Sequence, residues 1–313
     1  MNIALVIPTR NAGTKCTLLM KKLYSGLTLF DEIIVLDSQS DDGTDTEARK
    51  MGAQVVSIKA SDFNHGATRE MARKHTNADI IVFMTQDAIP VDRLLIEKLV
   101  EPIIEGKASF SYARQIPRPG ANIFETFPRK FNYPEESHIR GIADAEKYGA
   151  YTFFCSDSCA AYLNSALDEI GGFRPTLTNE DYFAAARLLL KKHKVAYVAE
   201  AVVEHSHSYT LWEEFKRYFD TGYVRADNPW VQALIGQAES RGRVYFFALV
   251  KELAKNKSWL IPYAVLNTFV KLLGYRVGYW SLNAPKWWKK MLSSQRYYWD
   301  SKYCNLDHGR KMS

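Results

Sequence analysis

The 313-residue chain is 47% hydrophobic and 24% charged, which excludes a disordered or fibrous protein and leaves material for a large core. Its net charge is +6, yet from Lys251 to Ser313 twelve Lys and Arg stand against three Asp and Glu, so the first 250 residues are net acidic. Six of the seven tryptophans also follow residue 229, which gives the chain two characters.

The opening run, MNIALVIPTR, breaks at Pro8, lacks a basic leader and is too short for a signal peptide or a membrane span. NIALVIP, DEIIVLDS, AQVVSIK and ADIIVFMT then read as strands covered on both faces, being short, continuous and rich in Ile and Val. Helical spacing separates them over Thr14 to Leu27, Thr44 to Met51, Ala67 to His75 and Asp92 to Glu105. The strand KASFSYAR follows, then a Pro-rich irregular stretch from Ile116 to Pro134; after it come TFFCSDSCAAYLN and a helix near Asn179 to Lys192. KVAYVAEAVVEHSH is expected as a pair of strands, and from Leu211 the pattern is helical throughout. Strand–helix alternation of this kind predicts an α/β fold with a mostly parallel sheet flanked by helices. The four cysteines have no pairing pattern and no zinc spacing, so reduced thiols are expected.

In open α/β sheets ligands bind beyond the carboxyl ends of the strands. Four predicted strands end in polar residues: Pro8-Thr9-Arg10-Asn11, Asp37-Ser38-Gln39-Ser40, the Asp62 to His65 turn, and Thr85-Gln86-Asp87. The first turn, PTRNAGTK, has one glycine and matches neither GxGxxG nor a P-loop, so a nucleotide here needs side chains and a metal ion. Asp87 offers a hard oxygen ligand for such a cation. His205 and His207 lie two apart on a predicted strand and point to one face; by themselves such pairs more often pack or face solvent than bind a metal.

IPTRN, DSQSDDGT, HGATRE and TQDAIP, with NEDYFAAARLL and AVVEHSH further on, resemble the family-2 inverting glycosyltransferases of GT-A fold. FNHGATRE and KLLGYRVGYW look most like the branch of bacterial rhamnosyltransferases that build surface polysaccharide from dTDP-L-rhamnose. The resemblance implies a GT-A-like catalytic domain over residues 1–210 and a helical, basic and aromatic region over 211–313. It implies that Asp37 accepts the imide N–H of uracil or thymine, with Pro8, Thr9, Arg10, Ser38, Ser40, His65 and Gln86 around the nucleotide. Arg69, taken to sit in the first turn of its helix, is expected on the diphosphate. A Mg²⁺ or Mn²⁺ ion is expected on Asp87, His205 and His207, although Thr85 replaces the first acid of the family's Asp-x-Asp. Asp181 is the implied general base, with Glu180 beside it as an acceptor contact or as a support behind the base. A UDP-sugar donor and a non-catalytic membrane-associated scaffold are the alternatives.

Aromatics interleaved with Lys and Arg after Arg243 suit a helix lying on an anionic membrane, with helices broken near Pro262. A helix so placed would put the active site near a polyprenyl-linked glycan acceptor, and the protein is expected at the inner face of the cytoplasmic membrane. Packing on the sheet or a homo-oligomer interface is the competing use of these helices. No nucleic-acid partner is expected, because no recognised binding fold accompanies the basic residues.

Overall fold

The computed structural model describes residues 1–26, 30–235 and 239–305. The chain divides into two compact units. The first comprises Met1–Asp144, Thr152–Pro175 and Glu180–His207; the second comprises Ala145–Tyr151, Thr176–Asn179 and the chain from Ser208 onward.

The strands are β1 (Ile3–Thr9), β2 (Glu32–Asp37), β3 (Gln54–Ser57), β4 (Ile80–Met84), β5 (Ile89–Pro90), β6 (Phe110–Ile116), β7 (His138–Arg140), β8 (Cys159–Leu163) and β9 (Val195–Glu204). The helices are α1 (Thr14–Tyr24), α2 (Thr44–Lys50), α3 (His65–Arg73), α4 (Leu95–Ile104), α5 (Ile123–Asn132), α6 (Ala145–Tyr148) and α7 (Asn164–Glu169). They continue as α8 (Glu180–Leu190), α9 (Leu211–Asp227), α10 (Pro229–Ile235), α11 (Glu239–Asn256), α12 (Ile261–Trp280) and α13 (Lys286–Leu292).

In the first unit the strands form one sheet in the order β3-β2-β1-β4-β8-β6-β9-β5, with β7 paired to β9. β3, β2, β1 and β4 are mutually parallel, β8 runs against β4 and β6, and β9 is parallel to β6. The carboxyl ends of β1, β2, β4, β6 and β9 therefore share one edge of the sheet. The start of β8 lies on that edge too, since Met84 pairs with Cys159. Leu5, Val6, Ile7, Ile34, Val35, Val82 and Phe83 are all fully buried, as expected of strands covered on both faces.

Three expectations shift. KVAYVAEAVVEHSH is one strand, not two: β9 stays extended and absorbs its irregularity as a bulge, where the pairing jumps from Ala113–Val198 to Arg114–Val202. Ala-Glu-Ala at positions 199 to 201 lacks turn chemistry, so nothing folds the chain back. Helix α3 begins at His65, because Asn64 caps it by accepting from Ala67 N at 3.1 Å. Helix α1 ends at Tyr24, and Leu27, the expected end, lies outside the described residues. All four cysteines are free thiols.

The second unit is helical. A capping box at Thr210 and Glu213 starts α9. Helices α9 and α12 approach closely, because a Cβ on Gly222, Gly274 or Gly278 would run into the backbone carbonyls of Tyr275, Phe215 and Phe219 respectively. Pro262 sits in the first turn of α12, where its missing N–H costs nothing. Among the described residues, no helix is long and apolar enough to cross a membrane.

Candidate active site

The tips of β1 and β2 are tied into one polar rim. Asp37 is buried and accepts from Thr9 Oγ1 at 3.2 Å, Ser40 N at 2.9 Å and Ser40 Oγ at 2.5 Å. It does not cap α2, whose N-cap is Gly43 in the left-handed region, while Asp42 holds Thr44 N at 3.1 Å and Thr44 Oγ1 at 2.5 Å. Asn11 and Gln39 carry left-handed backbone, φ 47° and 55°, a conformation non-glycine residues adopt at a cost of about 1–3 kcal/mol. Hydrogen bonds overdetermine it: Asn11 N donates to Ser40 Oγ, Asp41 N to Asn11 Oδ1, and Ala60 N to Gln39 Oε1. Ser38 Oγ is buried with no hydrogen-bond partner among the described residues. Pro8 is half-buried and Arg10 exposed. Gln86 clamps that exit turn, accepting from Arg10 N at 2.8 Å and donating to Arg10 O at 3.2 Å.

Asp87, beyond the end of β4, meets both histidines beyond the end of β9. His205 Nε2 lies 3.4 Å from Asp87 Oδ1, His207 Nε2 lies 3.3 Å from Asp87 Oδ2, and the two Nε2 atoms are 3.2 Å apart. Both histidines follow the last residue of β9 rather than lying within it. His205 is held on three sides: its N–H donates to Ile116 O, its carbonyl accepts from Arg129 Nε, and its Nδ1 faces Gln115 Oε1 at 3.1 Å. Gln115, itself buried, donates from Nε2 to Ser156 Oγ at 2.9 Å. An amide oxygen facing Nδ1 holds a proton there and turns Nε2 toward Asp87, which makes Nε2 the nitrogen that a metal ion would take. Burial works to raise the Asp87 pKa, but the hydrogen bond from His205 and the two neighbouring imidazoles outweigh it and hold the carboxyl well below its ordinary range.

A second cluster surrounds Arg69. Its guanidinium is buried, with Nη1 2.5 Å from Glu180 Oε1 and Nε 2.9 Å from Asp157 Oδ2. Tyr162 donates its hydroxyl to Asp157 Oδ1 at 2.6 Å. Asp181 Oδ2 accepts from Asp157 N at 3.3 Å, and its Oδ1 accepts from Tyr182 N at 2.7 Å. Gly66 makes the approach possible, because a Cβ there would collide with the carbonyl of Arg174 and crowd Glu180 Cβ. Three carboxylates around one guanidinium cannot all ionise freely. Burial, then Glu180 and Asp157, push the Asp181 pKa well above the usual range, and burial lifts Asp157 to about 6 despite Arg69.

This corrects the expected placement of Arg69. The earlier start of α3 moves it to the second turn, away from the free N–H groups, and its charge is matched inside the protein. His65 opens α3, packs edge-on against Phe63 and lends its carbonyl to Arg69 Nη1 at 3.3 Å. Burial lowers its pKa.

Residues 4–171 match the family model described as Glycosyl transferase family 2. The chain belongs to glycosyl transferase family 2. It is 40% identical over 304 residues to the O-antigen chain rhamnosyltransferase RfbN of Salmonella typhimurium, covering 96% of this chain and 97% of that protein. The O-antigen chain rhamnosyltransferase WbaN of Salmonella anatum is 36% identical over 303 residues, covering 96% of each. Among solved structures, a mannosyltransferase from Pyrobaculum calidifontis in complex with GDP-Man and Mn²⁺ superposes with a TM-score of 0.61 at 14% identity, over 90% of this chain and 87% of that one. A fragment of S. aureus TarS in complex with UDP-GlcNAc gives 0.54 at 15% identity, over 90% and 92%. These likenesses establish the GT-A-like fold.

In this glycosyltransferase the structure adds residues that reading the sequence missed. Asp157 and Ser156 precede β8, an antiparallel strand whose start falls on the same edge as the parallel strands' ends. Gln115 lies within β6 and signals nothing by spacing. Together they link the two clusters: His205 touches Gln115, Gln115 touches Ser156, and the next residue, Asp157, touches Asp181. The signal for Asp157 is the lone acid of CSDSC, set between two serines just before a strand.

Proposed function

We propose that this family 2 glycosyltransferase transfers L-rhamnose from dTDP-L-rhamnose, with inversion, to a polyprenyl-linked glycan destined for the cell surface. The likeness to two O-antigen chain rhamnosyltransferases over nearly the whole of each chain supports the donor sugar and the glycan acceptor. The observation that carries the site is the convergence of Asp87, His205 and His207. One carboxylate oxygen and two imidazole nitrogens lie within 4.8 Å of one another, on tips that a nucleotide diphosphate would face. Two nitrogens suit a first-row transition ion such as Mn²⁺ better than Mg²⁺, which takes oxygen ligands. The His pair thereby makes up for Thr85 in place of a second acid.

A cation held by these three residues would offset the charge that develops on the departing diphosphate. Asp37, with acceptor capacity remaining on Oδ2, receives the imide N–H of the base, and Thr9, Ser38 and Ser40 shape its surroundings. Pro8, Arg10 and Gln86 build the adjoining wall. Asp181 takes the proton of the acceptor hydroxyl, whose oxygen then attacks the anomeric carbon from the face opposite the diphosphate. Asp181 owes its basicity to confinement with Asp157 and Glu180. Arg69 is a positioning residue that keeps this acidic group together, and His65 supports it. Residues 1–210 supply this chemistry, and 211–313 meet the acceptor at the inner face of the cytoplasmic membrane.

Calorimetric titration with dTDP, UDP and GDP, each with and without Mn²⁺ or Mg²⁺, tests the proposal. Binding that prefers dTDP, needs Mn²⁺ and is weakened by Asp87→Ala supports it. A preference for UDP moves the donor to a UDP-sugar. Absence of nucleotide binding under every condition sinks it.

A further inference from the structure

Helix α12 packs one side against α9 through Gly274, Gly278 and the buried Ala264 and Asn267. Its other side is a long apolar face: Val265, Leu266, Phe269, Leu272 and Leu273 recur at helical spacing and are 43–59% exposed. Trp259, at 71%, and Trp280, at 73%, stand at its two ends. At ~1.5 Å per residue the helix is about 30 Å long, so this is a strip rather than a spot. Exposed apolar surface on that scale marks a binding face.

The charges around the strip select its partner. Between Lys251 and Cys304 the chain has ten Lys and Arg against two acids. Lys251, Lys255 and Lys257 flank the Trp259 end. At the Trp280 end α13 carries Lys286, Lys289 and Lys290, and is tied back by Trp288 Nε1 donating to Ser281 Oγ at 3.1 Å and Lys289 Nζ to Leu282 O at 2.7 Å. Asp300 answers Lys286 and Lys290 together, which leaves this end positive as well. A second copy laid on the strip, parallel or antiparallel, would bring cations against cations at both ends. An anionic lipid surface meets both demands: acyl chains accept the Leu and Phe side chains, the interface accepts the terminal tryptophans, and headgroups accept the lysines.

We propose that α12 lies flat in the interface of an anionic membrane, with Leu266, Phe269 and Leu272 inserted and the lysines at both ends on the headgroups. The role given to this surface rests on the lipid-linked acceptor proposed above, but the binding itself is measurable without any sugar. The test is co-sedimentation of the full chain with phosphatidylglycerol vesicles and with phosphatidylcholine vesicles, at low and high salt, alongside light scattering for self-association. Expected are binding to phosphatidylglycerol, weaker binding to phosphatidylcholine, and loss with salt. The triple variant Leu266→Ser, Phe269→Ser, Leu272→Ser should lower the partition at least ~10-fold, and Lys251→Glu with Lys257→Glu should lower it on phosphatidylglycerol alone. Retained nucleotide binding shows that the variants are folded. A wild-type chain that ignores phosphatidylglycerol, or a triple variant that binds as well as wild type, overturns the proposal. So does a wild-type dimer that the triple variant dissolves, since a second copy then covers the strip. Failure of the wild type to bind any nucleotide would count against the donor assignment and leave the vesicle result standing.

Discussion

The tasks proposed for Asp181 and Asp87 differ, and so do their surroundings. Asp87 is kept ionised by two imidazoles, whereas burial and two acidic neighbours favour the protonated form of Asp181. Only ionised Asp181 can take a proton, so turnover should rise with pH through its raised pKa. Removing the Asp157 charge lowers that pKa, both by deleting a repelling carboxylate and by releasing Arg69. Asp157→Asn should therefore move the acid limb of the kcat profile to lower pH, read from rates across pH 5–9; a shift upward would refute the coupling. Asp181→Asn should reduce kcat by about 10²–10⁴-fold while donor affinity, measured by calorimetry, stays near wild type. Gln115→Leu removes the acceptor that orients His205, and should weaken Mn²⁺ binding in the presence of nucleotide about 10–100-fold. Manganese titration followed by electron paramagnetic resonance reads that loss directly, and an unchanged affinity would show that the backbone bonds to Ile116 and Arg129 suffice to place His205.

Among the elements, α3 shows how one small residue governs a site. Gly66 lets α3 approach the Arg174 carbonyl, and that approach places Arg69 between Glu180 and Asp157. Gly66→Ala should cost roughly 1–3 kcal/mol of stability, because the colliding atom is backbone and cannot rotate away. Chemical denaturation reports this, and a neutral result would mean that α3 shifts freely. The same reasoning applies where Gly278 of α12 meets the Phe219 carbonyl of α9. Much of this level was legible beforehand. The runs NIALVIP, DEIIVLDS and ADIIVFMT are strands because continuous Ile and Val segments suit burial on both faces, and they appear as β1, β2 and β4. The two-residue β5 and three-residue β7 were not legible, since strands this short have no period and exist only by pairing with β9.

For the whole molecule, binding should be visible as stability. Ligand present at ~100 times its Kd adds about 2.7 kcal/mol to the folded state. Thermal unfolding of the full chain should therefore rise in midpoint with dTDP and Mn²⁺ together, and Asp87→Ala should remove the manganese-dependent part. Equal shifts in the variant would place the ion elsewhere.

From the residues alone came the α/β class, the polar strand tips and the carboxylate at one of them, because hydrophobic period and chain direction are local properties. The sequence also marked the C-terminal region as basic and aromatic. Only tertiary structure decided which of these side chains meet. Asp87 and His205 are separated by more than a hundred residues, and their meeting depends on β4 and β9 sharing a direction within one sheet. Asp157 joined the acidic cluster because β8 runs antiparallel and brings its beginning to the edge where the other strands end. Arg69 turned inward because Asp157 and Glu180, far along the chain, meet its guanidinium. Pairing direction and such meetings are set by contacts distant in the chain, and no local pattern encodes them.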